Sequence, residues 1–267
     1  MPHDLQTRPL NRPAFYALPS GGWRDLVTIL HPPYTLWHLS YVALGAAAAP
    51  TVHANRLVAA LGAFFLAVGL SSHALDELRG RPLNTKLGGG WLVAIAALGL
   101  AGALAIGVIG VFVVSPLIAP LVIAGGLLVP AYNLELAGGR FHNDAWFAIA
   151  WGAFPAFTGY FSNALQIRPA GILVTVACAL ISLAQRRLST PVRELRRRTD
   201  AVVGEQRLSD GRVVELTREQ LERHEPDLRG LWRSAGIRNV RERRMSYGAG
   251  LLMWGTRDGD SNGHRQA

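Results

Sequence analysis

Three ionisable side chains in one short segment have the spacing of a single helix face. His73, Asp76 and Glu77 are separated by three and four positions, and residues with that spacing lie on one side of an α-helix. The segment follows an apolar run over residues 57–70, and Pro82 ends its helix soon afterwards. Carboxylates at the end of a membrane-length helix can bind a cation or a charged headgroup. They can equally mark the point where the chain leaves the lipid.

A second polar cluster follows a later apolar stretch. Its candidate substrate-binding side chains are Asn133, Glu135, Arg140, His142 and Asp144. If the two segments lie side by side, their histidines and carboxylates converge into a set that zinc or iron also uses. However, neither an H-x-x-x-H nor an H-E-x-x-H spacing occurs in the chain, which argues against such a metal.

The composition indicates the surroundings of these clusters. Half of the 267 residues are hydrophobic and 17% are charged, against about a quarter charged in an average soluble domain. Charges are sparse over residues 32–184 and dense afterwards. The pattern predicts an all-α integral membrane protein. The net charge of +9 lies largely in an arginine-rich segment after the last apolar run, which favours membrane lipid headgroups as partners over nucleic acid.

Six membrane spans are predicted from the apolar runs, since a span needs about 20 such residues. The candidates cover residues 33–49, 53–72, 145–162 and 169–184, together with the stretch 88–131. That stretch would be roughly 66 Å long as one helix, twice the hydrocarbon thickness, so it is expected to form two helices that turn at Pro116 and Pro120.

The positive-inside rule tests this count. The loops after spans two and four carry Arg79, Arg81, Lys86 and Arg140, and many arginines follow span six, whereas the other loops carry only Arg56 and Arg168. This alternation predicts a multi-pass protein of the plasma (inner) membrane with both termini in the cytoplasm. Both polar clusters then lie on the cytoplasmic side.

Two flanking regions complete the predicted domain organisation of residues 1–30, 31–186 and 187–267. The first ends in an amphipathic helix from Trp23 to Leu30 that lies in the membrane interface. The third is expected to form a small cytosolic α/β tail. In that tail a helix begins at Thr190-Pro191, a hairpin forms around Asp210-Gly211, a helix covers residues 217–232, and residues 245–254 are too short to span.

The chain resembles the UbiA-type intramembrane prenyltransferase superfamily over roughly residues 30–198. The resemblance rests on the interfacial helix, on His31-Pro-Pro-Tyr-Thr-Leu36 before span one, and on the polar end of span two. The family's first motif, N-D-x-x-D-x-x-x-D followed by Arg-Pro-Leu, aligns with residues 72–83. One aspartate, Asp76, and the Arg81-Pro-Leu end are present. The family's second aspartate motif aligns with residues 185–189, which contain no acid.

The resemblance implies transfer of an isoprenyl group from a polyprenyl diphosphate to an acceptor. In that function His73, Asp76 and Glu77 would be catalytic. Asp76 and Glu77 would hold Mg²⁺, Arg79 and Arg81 would bind phosphate, and the loop over residues 133–144 would cover the acceptor. The loss of the second motif keeps an alternative open, namely a non-catalytic membrane protein that has the same scaffold and binds lipid or a partner subunit.

Overall fold

The fold is known from a computed structural model that describes residues 16–199, 202, 204–208, 210–215, 237–245 and 250–257. Two compact units divide the chain between Thr190 and Pro191. The unit before this boundary contains nearly all of the helical structure, and it holds every candidate site residue named above.

Ten helices occur in the described part of the chain. They are α1 (Trp23–Ile29), α2 (Pro32–Ala47), α3 (Ala54–Phe64), α4 (His73–Leu78), α5 (Gly89–Val113), α6 (Ala119–Asn133), α7 (Leu136–Gly139), α8 (Asp144–Ala148), α9 (Phe154–Ala164) and α10 (Pro169–Arg198). Turns of π-helix connect α3 to α4 (Phe65–Ser72) and α8 to α9 (Ile149–Ala153). The predicted helical class is therefore confirmed.

Four helical segments are long and apolar enough to cross a membrane, namely Ala54–Leu78, Gly89–Val113, Pro116–Asn133 and Pro169–Pro191. They correspond to predicted spans two, three, four and six. The other two predicted spans fall on α2, which has only 16 residues, and on α8 and α9, which a π-helical segment separates. The molecule is thus a mostly helical protein with four candidate membrane-spanning helices among its described residues.

The long apolar stretch turns where the sequence predicts. α5 ends at Val113, a 3₁₀ turn covers Pro116–Ile118, and α6 begins at Ala119. The hydroxyl of Ser115 accepts a hydrogen bond from the backbone N–H of Leu117 at 3.2 Å and caps the turn. Two antiparallel helices result, so the N-terminus of α5 and the C-terminus of α6 lie at one end of the bundle.

Glycine and alanine allow α2 and α9 to pack backbone against backbone. A Cβ atom added to Gly45 would overlap the carbonyl of Ala156, and one added to Gly159 would overlap the carbonyl of Val42. Small residues permit this close approach between membrane helices. The main apolar core continues from this pair through Phe64, Val129 and Trp151.

The unit after Thr190 differs in part from prediction. The prediction that a helix begins at Thr190-Pro191 is wrong, because α10 runs through both residues. In the preceding turn the hydroxyls of Ser189 and Thr190 donate hydrogen bonds back to the carbonyl of Arg186, whereas the carbonyl that loses its N–H partner to Pro191 is that of Arg187.

The predicted hairpin around Asp210-Gly211 is confirmed by β1 (Glu205–Arg207), which pairs antiparallel with β2 (Val213–Glu215). A second antiparallel pair consists of β3 (Ile237–Met245) and β4 (Gly250–Arg257). The apolar segment over residues 245–254 thus contributes to this strand pair where it is described. The helix predicted over residues 217–232 lies outside the described residues.

Candidate functional site

Glu77, a predicted catalytic and metal-binding residue, is fully buried at the end of α4. One carboxylate oxygen accepts a hydrogen bond from the backbone N–H of Leu83 at 3.0 Å. The other accepts from the backbone N–H and the hydroxyl of Thr85, at 2.9 and 2.8 Å. Both oxygens therefore hold the loop that follows the helix, and a buried carboxylate is stable there because three donors surround it.

A second buried carboxylate holds the same loop from the other side. Asp25 on α1 is 2% exposed and accepts hydrogen bonds from the backbone N–H groups of Gly21 and Lys86, each at 2.9 Å. Arg81, predicted to bind phosphate, donates to the carbonyls of Thr85 and Leu87 within the loop, at 3.3 and 2.6 Å. These contacts fix residues 79–88 against α1 and α4.

The two polar clusters of the sequence lie side by side, as the convergence hypothesis requires. The guanidinium of Arg79 donates to the carbonyl of Leu134 at 2.6 Å and pairs with Glu135 at 3.1 Å. Deeper in the bundle the hydroxyl of Ser72 donates to the side-chain oxygen of Asn133 at 3.0 Å. Asn133, predicted to bind substrate, is 3% exposed. Asn133 therefore links two helical segments and does not face an open cleft.

His142 and Asp144 belong to a neighbouring group around Tyr132. The His142 ring lies 4.6 Å from the Tyr132 ring. Arg186 on α10 donates to the Tyr132 hydroxyl at 2.9 Å and to one Asp144 oxygen at 2.8 Å. Arg187 pairs with the other Asp144 oxygen, also at 2.8 Å. This network ties α6, α8 and α10 together.

The electrostatics of Asp144 follow from this pairing. The hydrogen bond from Arg186 and the positive charges of Arg186 and Arg187 lower the pKa of the Asp144 carboxyl below its usual value of 3.8. Asp144 is therefore charged at neutral pH. The remaining member of the predicted cluster, Arg140, is exposed in the loop between α7 and α8.

His73 does not share an environment with Asp76 and Glu77. It is 7% exposed, and its ring lies 4.6 Å from that of His31. Tyr16 hydrogen-bonds the His31 ring from the other side. Asp76 is only half-buried at the same turn of α4. The imidazole thus faces the interior of the bundle.

His38 extends this aromatic group toward the centre of the bundle. Its Nδ1 lies 2.6 Å from the carbonyl of Tyr34. Because a carbonyl only accepts, Nδ1 carries the proton and Nε2 is left as an acceptor. No described residue bonds to Nε2. The His38 ring meets Trp151 edge to face at 5.8 Å.

Glu77 is not free to serve as a ligand of the expected Mg²⁺. A magnesium ion needs oxygen ligands in an octahedron, whereas Glu77 already accepts three hydrogen bonds through both of its oxygens. No cluster of three His, Cys, Asp or Glu side chains suited to a metal occurs among the described residues. Both oxygens of Glu77 thus have partners within the protein.

An apolar crevice between the helices is a feature that the sequence does not indicate. It has a volume of about 140 Å³ and is bounded by α3, α5, α6, α9 and the π-helical segments. Small side chains create the space, among them Ala63, Ala67, Ala103, Gly107 and Gly125. Along α3 and the π-helical segment that follows it, the crevice extends from Arg56 to Val68, about 18 Å at 1.5 Å per residue. Trp151 lines its inner end and separates it from His38.

The outer end of the crevice is its polar end. Arg56 is the one charged residue in the described lining, and its Nη1 donates to the carbonyls of Ser162 and Asn163 at 3.3 and 3.4 Å. The guanidinium therefore caps the C-terminus of α9. Thr158 also lines the crevice, and its buried hydroxyl has no partner in the described part of the chain.

Sequence reasoning could have found part of what it missed. Ala59, Ala63 and Ala67 recur every four positions, and Gly102, Ala103, Gly107 and Gly110 follow on the next helix. Such stripes indicate close helix contact, but whether a space is left between the helices depends on a third and a fourth helix. The sequence shows Asp25 only as a polar residue of an amphipathic helix, and it does not indicate that this residue is buried.

Searches against protein-family models, curated proteins and solved structures find no match to this chain. The resemblance to UbiA-type prenyltransferases therefore depends on the sequence motifs alone.

Proposed function

We propose that this protein binds the hydrocarbon chain of a membrane lipid, of isoprenyl or acyl type, in the apolar crevice. The observation that carries the proposal is the lining itself. It is apolar or glycine along nearly its whole length, with Arg56 and two hydroxyl residues, Thr158 and Ser162, toward one end. An apolar chain that moves from the bilayer into such a crevice has no polar groups to desolvate, and close contacts with the crevice walls offset the freedom that it loses.

The orientation of the bound ligand follows from the position of the polar lining residues at one end of the crevice. The chain lies toward Trp151, and a polar end group lies beside Arg56 and Thr158. A guanidinium retains several donors when one nitrogen caps a helix, and the unpartnered Thr158 hydroxyl offers both a donor and an acceptor. A single-chain amphiphile such as an isoprenyl alcohol, an isoprenyl phosphate or a fatty acid meets these requirements.

Binding of three radiolabelled probes to the detergent-purified protein tests this proposal: an isoprenyl alcohol, an isoprenyl phosphate and a fatty acid. We expect saturable binding of at least one probe. Preference for both anionic probes over the alcohol would indicate that Arg56 recognises the charge of the end group. Preference for both isoprenyl probes over the fatty acid would indicate that the crevice recognises the shape of the chain. Absence of saturable binding by all three would contradict the proposal.

Prenyl transfer is the second candidate. One observation favours it: the loops after α4 and α6 meet through Arg79 and Glu135 at the end of the bundle where the family's diphosphate motif aligns. In this function Asp76 would help to hold the diphosphate with Mg²⁺.

The test of prenyl transfer is thermal stability with a polyprenyl diphosphate, with and without Mg²⁺, in the wild type and in Asp76→Asn. A ligand at a hundred times its Kd should stabilise the protein by about 2.7 kcal/mol. A magnesium-independent shift, or none, would count against transfer.

A six-span arrangement is part of the same proposal. α2 and α9 pack tightly against each other within the bundle, and both run between the polar end and the end that carries Arg56. We therefore assign both as spans, short or interrupted as they are. Both termini then lie on the side of the loop over residues 79–88, which the arginine distribution makes cytoplasmic.

A further inference from the structure

A groove beneath α1 is separate from the crevice and lies on the other side of the π-helical segment. We call it the α1 groove. It has a volume of about 490 Å³ and a wholly apolar lining, which includes Leu26 and Ile29 of α1, Phe65 and Leu66 of the π-helical segment, and Ile95 and Leu98 of α5. No polar side chain belongs to this lining in the described part of the chain. Its occupant must therefore be apolar where the two are in contact.

The depth of the α1 groove matches the outer part of a lipid leaflet. Its α5 residues lie six to ten positions after Gly89, which corresponds to about 9–15 Å below the start of that helix. Trp23, at the start of α1, is 66% exposed, and tryptophan marks the interfacial depth of a bilayer. A hydrocarbon chain that enters from this leaflet meets the groove just below its headgroup.

Two cations follow or precede the groove lining closely in the chain, and neither forms an ion pair with another described side chain. Arg24 on α1 and Lys86 before α5 are both exposed. They are neighbours because the backbone N–H of Lys86 bonds to Asp25, the residue after Arg24. Asp25 itself is buried with both oxygens hydrogen-bonded to backbone groups. Asp25 thus holds the backbone of α1 beside that of Lys86, and its own oxygens are not exposed to a headgroup.

We propose that the α1 groove binds one acyl chain of an anionic phospholipid, whose phosphate lies between Arg24 and Lys86. The charge complementarity selects an anionic lipid over a zwitterionic one. The apolar groove selects a chain over a soluble phosphate. This site is independent of the crevice and of the function proposed for it, and it fixes the surface helix α1 to one membrane leaflet.

Native mass spectrometry of the delipidated full-length protein tests this site with phosphatidylglycerol and phosphatidylcholine as probes. We expect tighter binding of phosphatidylglycerol. Arg24→Gln and Lys86→Gln should each weaken it about fivefold, the effect of one cation near an anionic lipid, and leave phosphatidylcholine binding unchanged. Arg140→Gln removes an exposed cation at the same end of the bundle and is the matched control, for which no change is expected.

A groove-filling variant tests the chain separately. Leu98→Trp adds bulk to the α1 groove at a residue that is 73% exposed, and Val108→Trp adds the same bulk to the outer surface of the same helix. Leu98→Trp should lose the bound phospholipid, while Val108→Trp should keep it. Equal affinity of the wild type for both lipids would overturn the proposal. So would lipid retention by Leu98→Trp, or a concentration-dependent dimer that Leu98→Trp abolishes, since the occupant would then be a second copy.

Discussion

The carboxylate of Glu77 accepts two hydrogen bonds from Thr85, one from its backbone N–H and one from its hydroxyl, and a third from the N–H of Leu83. A residue eight positions earlier in the chain thereby determines the path of the loop over residues 79–88. Asp25 holds the far end of the same loop through Lys86. Glu77 and Asp25 thus primarily hold the loop at the polar end of the bundle in place.

This assignment predicts a stability effect for Glu77→Gln. The amide cannot accept from donors on both sides, so a buried N–H is left without a partner. We expect the free energy of unfolding to fall by about 2 kcal/mol, the usual value of a hydrogen bond to a charged group. The control is Glu135→Gln, which removes an exposed pair with Arg79 and should cost less than about 1 kcal/mol. Equal effects in a denaturation experiment would refute the anchoring role.

The Asp144 network predicts a pH dependence. The pKa of this carboxyl is lowered in the folded protein by Arg186 and Arg187, so the unfolded state binds its proton at a higher pH than the folded state does. The stabilisation is therefore fully present above the unfolded pKa, near 3.8, and is lost as the pH falls through the lower folded pKa.

The measurement is the difference in Tm between the wild type and Asp144→Asn as a function of pH. We expect the wild type to be the more stable at pH 7 and the difference to shrink below about pH 4. Arg187→Gln should change Tm less than Arg186→Gln, because the Arg187 side chain is 71% exposed and that of Arg186 is 14% exposed. A difference that stays constant with pH would contradict this account.

Contact between α2 and α9 predicts opposite outcomes for two glycine substitutions. In Gly159→Ala the added methyl overlaps the carbonyl of Val42, and overpacking of this kind typically costs about 1–3 kcal/mol. In Gly62→Ala the nearest atom is the Cδ1 of Ile106 at 3.8 Å, so the higher helix propensity of alanine should stabilise the protein slightly. Thermal unfolding of both variants checks this. Equal stabilities would mean that α2 and α9 do not pack as described.

The six-span arrangement predicts which loops are accessible from each side of the membrane. In a Cys178→Ala background, Gly88→Cys and Arg140→Cys should react with an impermeant thiol reagent from the cytoplasmic side only. Thr51→Cys and Arg168→Cys, in the loops after α2 and α9, should react from the opposite side only. Labelling of Arg168→Cys from the same side as Arg140→Cys would show that α9 does not span. Labelling of Ser20→Cys, before α2, from the same side as Thr51→Cys would show the same for α2.

Parts of this fold could be predicted from sequence because their signals are local. Apolar length indicated the spanning helices, Pro116 and Pro120 marked a turn, and Asp210-Gly211 marked a hairpin. The alternation of arginine between loops also placed Arg79 and Glu135 at the same end. The uninterrupted α10 could not be predicted, because a Thr-Pro pair is locally typical of a helix start and here lies inside a helix that begins at Pro169.

The roles of particular residues were less predictable because they depend on contacts distant in sequence. Glu77 has the residue type and position of a metal ligand, and only the path of the following loop shows that its oxygens have partners. The crevice depends on small residues from four helices together. Local spacing identifies an acid or a small side chain, but the fold determines whether it faces a donor, a ligand or a neighbouring helix.

The most direct test of chain binding compares Ala103→Phe with Ala101→Phe on the same helix. Ala103 lines the crevice and Ala101 is exposed on the outer surface, so the two variants add the same ring to the two sides of α5. The measurement is saturable photo-crosslinking of a probe with a photoreactive isoprenyl or acyl chain. Chain binding in the crevice predicts that Ala103→Phe loses the crosslink to α3 and α6 and that Ala101→Phe keeps it. If a well-folded Ala103→Phe protein retains the crosslink at wild-type level, the crevice is not the binding site.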